Sequence, residues 1–575
     1  MLRYALKRVL NQRTREFKGA PTLFQTQTWS YSRRRIHDFT SGLPRFDDAA
    51  SLISSDTIYA LSSGSGRAGI AVIRISGPGC LDVYQGLCPS KTPPKPRYAG
   101  VRTLFEPGLA DQSGANIVDS DALVLYFPGP KTVTGEDVLE LHVHGGSATV
   151  KAVLSAVRKC SSPGKIRYAE PGEFTKRSFL NGRLDLAQIE SLGDTLSAET
   201  EHQRRAAVRG NSGILGKTYD GWREQLLLAR GEIEALIDFS EDQHFDESPT
   251  ELLTNVTRLA EGIIRSIGLH KLGSQRSELL RNGIRIALLG PPNAGKSSLM
   301  NQIVGREASI VSAEAGTTRD IVEASLDIRG YLCSFADTAG IRTKMSEFLG
   351  HHDGIAGPST IGAIEQEGIR RARQKALDSD VIIVLASVEA RESGSHQISY
   401  DVETLQLAAG AQQCLVVVNK TDVVSPESLK LLIRDFKSSV LADIDGLGGL
   451  EPLTISCKAA VSPTAAGLTD AGGIHELTEI LAESFSNLTS LPDDMQHLLG
   501  VTERQNQLLA ECERHLDDFM AEARKSDPYG GPDIVLAAEY LRLAGLRLAS
   551  ITGRGESGDV EEVLGVIFEK FCVGK

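Results

Sequence analysis

GPPNAGKS, from Gly290 to Ser297, is the stretch that decides how the middle of this chain folds. It follows the apolar run RIALL at 285–289 and precedes a helix-forming run, the context that a phosphate-binding loop requires. Gly290 and Gly295 allow backbone amides to approach phosphate oxygens. Lys296 supplies a charge to the β- and γ-phosphates, and Ser297 is expected to ligate magnesium. The pattern predicts a nucleoside triphosphate site but does not separate ATP from GTP.

NKTD, from Asn419 to Asp422, makes that separation. It follows the apolar run at 415–418, which points it at the carboxyl edge of a parallel sheet. Asp422 is expected to accept from the guanine N1–H and exocyclic amine, and Asn419 to contact the other edge of the base. Adenine lacks both donors, so the carboxylate would be left unpaired at a cost of about 2–5 kcal/mol. SCK at 456–458 is expected to flank the base.

Two switch motifs complete the site, GTTRD at 316–320 and DTAG at 337–340. Thr318 is the predicted second magnesium ligand, and Asp337 reaches the metal through water. Ile341 stands where a Ras-like enzyme carries the glutamine that orients water, so catalysis must recruit another carboxylate or charge. The predicted GTP contacts are Asn293, Ala294, Gly295, Lys296 (also catalytic), Ser297, Ser298, Ser312, Gly316, Thr317, Thr318, Asp337, Thr338, Ala339, Gly340, Asn419, Lys420, Asp422, Ser456, Cys457 and Lys458.

Composition bounds the class of protein. The chain has 575 residues, a net charge of −12 and 41% apolar residues, which suggests about three domains of an ordinary soluble protein. No uninterrupted apolar run approaches the roughly 18 residues that span a bilayer, so no membrane span is expected. The eight cysteines form no CxxC pair, which argues against zinc and disulfide frameworks. An acidic chain does not attract RNA in bulk, so any RNA contact needs a local patch or a partner.

The amino-terminal segment is basic, in contrast to the rest. Residues 1–40 hold nine Lys and Arg against only Glu16 and Asp38, and apolar residues recur at helical spacing near the start. This profile predicts a mitochondrial transit peptide over residues 1–45, with a plain basic tail as the alternative.

The remaining chain predicts a multidomain fold of class α/β plus α. Short strands at 58–60, 69–76, 122–127 and 138–143 predict an α+β domain over 52–180. Helical periodicity covers 181–280 and returns over 489–575. Between these stretches, 281–488 is predicted as a Ras-like P-loop domain with a doubly wound sheet. The helices on both sides therefore suggest one all-α domain that is split by this insertion.

At this point the residues resemble a family, the MnmE/TrmE tRNA-modification GTPases, in a mitochondrial form. The resemblance covers about residues 56–575 except for loops. Its supporting stretches are DTIYALSS, GIAVIRISG, FPGPKTVTGEDVLELHVHGG, AEPGEFTKRSFLNGRLDLAQIE, EALIDFSED and the terminal KFCVGK.

The resemblance implies a homodimer with a folate-binding, dimerising amino-terminal domain, placed in the mitochondrial matrix. It implies that an MnmG/GidA-type flavoprotein, which carries FAD, acts with this chain on tRNA. The pair would install a (carboxymethyl)aminomethyl-type group at C5 of the wobble uridine, position 34. The one-carbon unit would come from a tetrahydrofolate derivative, either 5-formyl or 5,10-methylene. The implied folate contacts are Arg74, Glu140, Arg183 and Lys575; the family more often has Lys at the third position, and Arg keeps the charge with a different contact geometry.

The resemblance also implies hydrolysis that is stimulated by potassium. Asn293, Ser312, Glu314 and Thr317 are the implied K+ ligands, and Ser297 and Thr318 those of Mg2+. Such an ion supplies the positive charge that an arginine finger gives other GTPases. Glu365 is the implied water-orienting residue, with Glu367 as the alternative because the preceding segment is lengthened.

Several residues stay open at this stage. Cys572 lies close to Lys575 and the terminal carboxylate, so a catalytic role and a packing role are both retained. His142 and His144 share a strand face, with structural roles favoured over a metal site. Arg204, Arg205 and Arg209 contact either tRNA phosphates or neighbouring carboxylates.

Two other functions compete with this one. An Era- or EngA-like ribosome-assembly switch is the alternative, although acidic helices follow where Era has a basic RNA-binding domain and only one GTPase domain is present. The other is a folate-dependent aminomethyltransferase with a regulatory GTPase, but such enzymes do not use GTP.

Overall fold

The structure is a computed structural model in which the described residues from 56 onwards belong to one compact unit. The residues that it describes are 56–109, 114–238, 249–311, 325–335, 374, 377–391, 394–461, 470, 472–525, 531–554 and 574. The predicted leader, residues 1–45, lies outside this part of the chain. Within it, no helix is long and apolar enough to cross a membrane.

The amino-terminal domain is a six-stranded sheet with two helices on one face. Its elements are β1 (Thr57–Leu61), β2 (Ile70–Ser76), α1 (Cys80–Leu87), β3 (Gly100–Phe105), β4 (Ile117–Phe127), β5 (Val138–His144), α2 (Ser147–Lys159) and β6 (Ile166–Tyr168). The strand order is β3-β4-β5-β2-β1-β6, antiparallel except for the β1–β6 pair. All four predicted strands are present; β3 and β6 are edge strands, and the three residues of β6 are too few to give a period-2 signal.

Alternation along β2 assigns the two faces of this sheet. Ala71, Ile73 and Ile75 are buried in the core against α1 and α2. Val72 and Arg74 therefore lie on the opposite face, because successive side chains of a strand point to opposite sides. The predicted α+β architecture is confirmed, and the sheet presents a second, more polar face.

Helices from two distant parts of the chain pack together. Helix α3 (Glu173–Leu180) packs on β1 through Phe174 and belongs with the amino-terminal domain. The first set is α4 (Leu186–Ser197), α5 (Glu201–Gly210), α6 (Ile214–Asp238) and α7 (Pro249–Asn282); the second is α13 (Glu503–Ala523) and α14 (Ile534–Thr552). Tyr219 and Ile263 from the first set share one apolar core with Leu509 and Leu548 from the second. The split helical architecture expected from periodicity is therefore confirmed.

A buried polar cluster joins the two sets. Glu190 on α4 accepts from Arg504 Nε at 2.5 Å and from Gln505 Nε2 at 2.7 Å, both on α13. Arg504 also donates through its two Nη atoms to the carbonyls of Ser550 and Ile551, each at 3.1 Å. These carbonyls end α14, where unpaired acceptors and the helix dipole favour a cation. One guanidinium therefore fixes three helices.

The inserted domain is an eight-stranded sheet covered on both faces. Its elements are β7 (Ile284–Leu289), α8 (Lys296–Gln302), β8 (Ala308–Ile310), β9 (Ser325–Ile328), β10 (Tyr331–Phe335), β11 (Val381–Ala390), β12 (His396–Ser399), α9 (Val402–Ala409), β13 (Gln413–Asn419), α10 (Pro426–Phe436), β14 (Leu453–Thr454), α11 (Cys457–Val461) and α12 (Ile474–Thr489). The order is β14-β13-β11-β7-β10-β9-β8, and β12 pairs with β11. The strands β14, β13, β11, β7 and β10 run parallel, as expected for a P-loop domain.

The helical region contacts this sheet at the β9–β10 hairpin. The ring of His202 stacks on Tyr331 with centroids 3.8 Å apart and planes 14° apart. The amide of His202 donates to the Gly330 carbonyl at 3.1 Å. In sequence the β9–β10 hairpin lies between the two switch motifs. Its contact with His202 therefore links this part of the nucleotide domain to α5.

A buried histidine lies inside the helical core. His270 on α7 bonds Tyr219 through Nδ1 at 3.0 Å, and its ring centroid is 5.0 Å from that of Trp222. Burial, with a smaller contribution from His497, lowers the pKa of His270 to about 3. The imidazole is therefore neutral at physiological pH and serves as a hydrogen-bonding core residue.

We expect this histidine to make the helical region sensitive to acid. An unfolded histidine has a pKa near 6.5, so between pH 6.5 and pH 3 the unfolded chain binds a proton that the folded chain does not. Stability should therefore fall as the pH falls through this window, by about 2 kcal/mol between pH 7 and pH 5. Denaturant titrations followed by Trp222 fluorescence, in a Trp29→Phe background, would measure it.

The matched variant is His270→Gln, which keeps a hydrogen-bonding side chain but does not titrate in this range. It should be less stable at pH 7 and show a flatter stability profile between pH 7 and pH 5. An equally steep profile in the variant would assign the acid sensitivity to other groups.

Candidate guanine-nucleotide site

The phosphate-binding loop and NKTD meet at one edge of the sheet. Strand β11 pairs in parallel with β7 on one side and with β13 on the other, matching Val384 with Leu289 and Ser387 with Asn419. Because the carboxyl ends of parallel strands share an edge, the loops that follow β7 and β13 become neighbours. This topology brings together two motifs that begin 129 residues apart in sequence, at Gly290 and Asn419.

Two positions of the loop must be glycine because atoms of neighbouring segments approach their backbone closely. Gly290 has φ +140°, and a Cβ there would lie 2.1 Å from the carbonyl oxygen of Leu385. Gly295 has φ +99°, and a Cβ there would lie 2.2 Å from Asn419 Nδ2. Neither position accepts a side chain. Asn293 has φ 62°, a left-handed conformation that asparagine adopts more readily than most residues.

Lys296 begins α8 and is half-buried beneath the loop. Its ammonium donates to the carbonyls of Gly290 at 2.8 Å and Pro291 at 2.9 Å. Burial lowers the pKa of this ammonium, partly offset by the Asp401 carboxylate. The lysine thus lies at the amino terminus of α8 next to the amides of the loop, where a phosphate group would combine both attractions.

Asn419 is held by protein contacts at both ends of its side-chain amide. Its side chain is 2% exposed, and Nδ2 donates to the carbonyl of Ala294 at 2.9 Å. Its Oδ1 accepts from the amide of Cys457 at 3.2 Å. Both ends of the amide therefore bond to protein, which orients the side chain; because Nδ2 carries two N–H groups, the contact with the base stays a prediction. Asn419 ties the phosphate loop and the SCK segment to β13.

Asp422 is held by the SCK segment. The Ser456 hydroxyl donates to its Oδ1 at 2.7 Å, while Oδ2 lies 4.0 Å from Lys458 Nζ. The Lys458 side chain is 87% exposed, so that ion pair is weak. Asp422 thus keeps an oriented carboxylate with capacity to accept further donors. That is the requirement for recognising the N1–H and amine of guanine.

The remaining residues of NKTD and SCK are placed around this carboxylate. Lys420 has φ 61° and its ammonium lies 3.3 Å from Glu389. Cys457 is buried, and desolvation raises the pKa of its thiol to about 11, so it is inert and contributes its backbone amide.

These segments enclose a cleft of about 570 Å³. It is lined by Asn293, Gly295, Ser298, Asn301, Gln302, Asn419, Lys420, Asp422, Val423, Cys457, Lys458 and Val461. Asn301, Gln302, Val423 and Val461 were not predicted. Asn301 and Gln302 could have been predicted from their spacing of three and four residues after Ser298, since residues at that spacing share a helix face.

Part of the predicted site lies outside the described residues. The residues concerned are Ser312, Glu314, Gly316, Thr317, Thr318, Asp337, Thr338, Ala339, Gly340, Glu365, Cys572 and Lys575. Of the predicted Mg2+ and K+ ligands, Ser297 and Asn293 are therefore the two in the described part, and both belong to the phosphate loop. Among the described residues, no group of three or more His, Cys, Asp or Glu side chains could hold a metal ion.

Three of the residues implied for folate lie on the amino-terminal domain. Arg74 on β2 and Glu140 on β5 are cross-strand partners on the face away from the core, joined at 2.9 Å. Arg183 follows α3, and its Nε donates to the Thr132 carbonyl at 3.0 Å. Near the chain end, the Gly574 carbonyl accepts from the Ser62 hydroxyl at 2.7 Å, which places Gly574 next to the end of β1.

The open alternatives divide as follows. Asp119 accepts from both the backbone amide and Nδ1 of His144, each at 2.9 Å, which is a structural role. Arg204 and Arg205 both pair with Glu201, at 2.8 and 2.7 Å. The carboxylate-paired interpretation therefore holds for these two arginines.

Two family models match the chain in order. The description "GTP-binding protein TrmE N-terminus" matches residues 57–183, and "MnmE helical domain" matches residues 186–572. The second match alone spans more than half of the chain and encloses the nucleotide-binding domain.

Full-length relatives carry the same arrangement. A human protein named mitochondrial 5-taurinomethyluridine-[tRNA] synthase subunit GTPB3 is 38% identical over 91% of this chain and 94% of its own length. The tRNA modification GTPase MnmE of Paramagnetospirillum magneticum is 38% identical over 91% of this chain and all of its own length. The yeast mitochondrial tRNA modification GTPase MSS1 is 34% identical over 90% of this chain and 93% of its own length. Since the similarity extends through the nucleotide cleft and through the domains on both sides of it, this chain belongs to the TrmE/MnmE family of tRNA-modification GTPases.

Proposed function

We propose that this protein hydrolyses GTP to support modification of the wobble uridine, position 34, of mitochondrial tRNAs. The proposal is supported by the coexistence of a cleft around Asp422, whose oriented carboxylate suits guanine, with family similarity over residues 57–572. The group added at C5 is of the (carboxymethyl)aminomethyl type. Mitochondrial action is supported by the names of the human and yeast relatives and by the basic leader. The Era- or EngA-like alternative has no observation in its favour.

The one-carbon unit is proposed to bind on the amino-terminal domain. Arg74 and Glu140 pair on the face of the sheet away from the core, with side chains 24% and 17% exposed, and the Arg74 guanidinium lies over the buried ring of Phe174 at 6.0 Å. A folate combines a flat ring carrying donors and acceptors with a carboxylate tail, so a partly exposed cation and anion suit it. Arg183 and Lys575 complete the proposed contacts. Homodimerisation and an FAD-carrying partner of the MnmG/GidA type belong to the same proposal.

The GTPase step is proposed to use one Mg2+ and one K+. Ser297 and Thr318 would hold Mg2+, which neutralises charge that develops on the phosphates. Asn293, with Ser312, Glu314 and Thr317, would hold K+ beside them. Around these ions the chain itself orients the base through Asp422, binds phosphate through Lys296 and positions water through Glu365.

We expect hydrolysis to run at least roughly tenfold faster in KCl than in NaCl, because the larger ion fits a loop of carbonyl and amide oxygens and stabilises transition-state charge. Steady-state phosphate release at matched ionic strength would measure the ratio. Asn293→Ala should abolish the difference between the salts while retaining GTP binding. Equal rates in both salts for the wild-type chain would remove the role given to Asn293.

The proposed function is tested by mass spectrometry of nucleosides from mitochondrial tRNA. Cells that lack the gene should lose the C5-modified wobble uridine and accumulate unmodified uridine at that position. Wild-type complementation should restore the modified nucleoside, whose mass also distinguishes glycine, ammonium and taurine as amine donors. An unchanged nucleoside profile in the deletion would exclude the proposal.

A further inference from the structure

Two loops of the amino-terminal domain carry a group of exposed positive charges. The loop between α1 and β3 holds Lys91, Lys95 and Arg97, and the loop between β4 and β5 holds Lys131. Residues 88–105 contain no Asp or Glu, although the chain as a whole has a net charge of −12. The β4–β5 loop also contains two carboxylates, but these bond elsewhere: Glu136 pairs with Arg177, and Asp137 accepts from the Tyr126 hydroxyl and the Gly129 amide. All four side chains belong to exposed residues.

Tertiary contacts bring these two loops together. The amide of Arg97 donates to the Tyr126 carbonyl at 2.8 Å, and its Nη2 donates to the Lys131 carbonyl at 2.7 Å. Its guanidinium carbon lies 5.8 Å from the centre of the Phe127 ring. Arg97 also has φ 63°, so the backbone adopts a left-handed conformation to make this approach. We call Lys91, Lys95, Arg97 and Lys131 the basic surface.

The charges of the basic surface are available to a partner. Among the described residues, none of its four side chains forms an ion pair with a carboxylate. By contrast, several cations of the helical region are paired: Arg204 and Arg205 with Glu201, and Arg281 with Asp194. An arginine that is paired with a carboxylate adds little net attraction for an anion, whereas an unpaired arginine contributes its full charge.

An aromatic ring lies within the same surface. Tyr98 is 60% exposed, and the ammonium of Lys95 lies 4.0 Å from the centre of its ring. Exposed aromatic rings between basic side chains provide stacking for unpaired bases, and the cations bind the adjacent phosphates. A protein partner would more often be met by mixed charges around an apolar centre.

We propose that the basic surface binds the phosphate backbone of the tRNA substrate, with Tyr98 stacking against an unpaired base. This inference rests on the proposed function, because that function supplies the RNA. The basic surface also lies next to a proposed folate contact. Lys131 directly precedes Thr132, whose carbonyl accepts a hydrogen bond from Arg183 Nε. RNA held here lies beside the proposed folate contacts, where the one-carbon unit is needed.

The test compares full-length proteins for binding of a transcribed tRNA that carries uridine at position 34, over 50–200 mM KCl. The triple variant Lys95→Gln/Arg97→Gln/Lys131→Gln should bind roughly 10- to 100-fold more weakly and lose about two to three units from the slope of log affinity against log salt. Lys95→Arg/Lys131→Arg should bind like the wild type. Arg204→Gln/Arg205→Gln, on the paired face, should change binding less than threefold. GTP hydrolysis without tRNA should be unchanged in all of them.

A second readout needs no substitution. Ultraviolet crosslinking of wild-type protein to 4-thiouridine-substituted tRNA should yield a peptide attached at or next to Tyr98. Crosslinks confined to other domains, or a triple variant that binds tRNA as tightly as the wild type, would overturn the inference. A triple variant that loses only flavoprotein binding, or only self-association, would assign the surface to a protein contact and also overturn it. A wild-type chain that binds no tRNA, alone or with the flavoprotein, would instead count against the proposed function itself.

Discussion

Replacement of Asp422 by Asn is expected to weaken GTP binding roughly 30-fold to several thousand-fold, the equivalent of about 2–5 kcal/mol. The carboxylate accepts two donors from guanine, and an amide in its place can accept only one and presents its own N–H groups to the other. Xanthine replaces the exocyclic amine by a carbonyl, so the variant should prefer xanthosine triphosphate. Titrations with fluorescent analogues of both nucleotides would measure the change in preference.

The structure supplies the matched control for this variant. The Ser456 hydroxyl donates to Asp422 Oδ1 at 2.7 Å and so orients the carboxylate without replacing it. Ser456→Ala should therefore weaken binding of GTP modestly and leave the preference for GTP over xanthosine triphosphate intact. Unchanged GTP affinity in Asp422→Asn would remove the account of base recognition.

Replacement of Glu365 by Ala is expected to reduce turnover at least roughly 100-fold while GTP affinity stays within about threefold. A positioned carboxylate that orients or deprotonates water contributes about 10²–10⁴-fold to a rate. The need for one follows from Ile341, whose aliphatic side chain cannot orient a nucleophile. Single-turnover hydrolysis at saturating GTP, together with equilibrium nucleotide binding, would separate chemistry from affinity.

Glu367→Ala is the matched control, because it removes the same group two residues away. It should hydrolyse GTP at close to the wild-type rate. If Glu367→Ala is inactive and Glu365→Ala is active, the water-positioning role belongs to Glu367. Both residues lie outside the described part of the chain, so kinetics is the direct way to choose between them.

The nucleotide domain could be predicted in detail because its signals are local. GPPNAGKS is one continuous segment, and a strand followed by a glycine-rich loop and a helix commonly binds phosphate. NKTD depends equally on four adjacent residues. Asn419 shows the limit of this reasoning: its type and position were recognised, but its two hydrogen bonds reach Ala294 and Cys457, 125 and 38 residues away. Such partners are invisible to spacing, so the positioning role of Asn419 could not be predicted beside its expected contact with the base.

The sequence by itself determined the fold class, the split of the helical domain and the identity of the nucleotide, because periodicity and contiguous motifs record local geometry. Only the tertiary structure decided which distant groups became neighbours. It placed Glu190 beside Arg504, stacked His202 on Tyr331 and joined the loops that carry Arg97 and Lys131. The physical reason is that packing and sheet register select contacts between residues far apart in sequence. These tertiary contacts set the neighbours of each cation. They therefore decide whether its charge is neutralised or available to a partner.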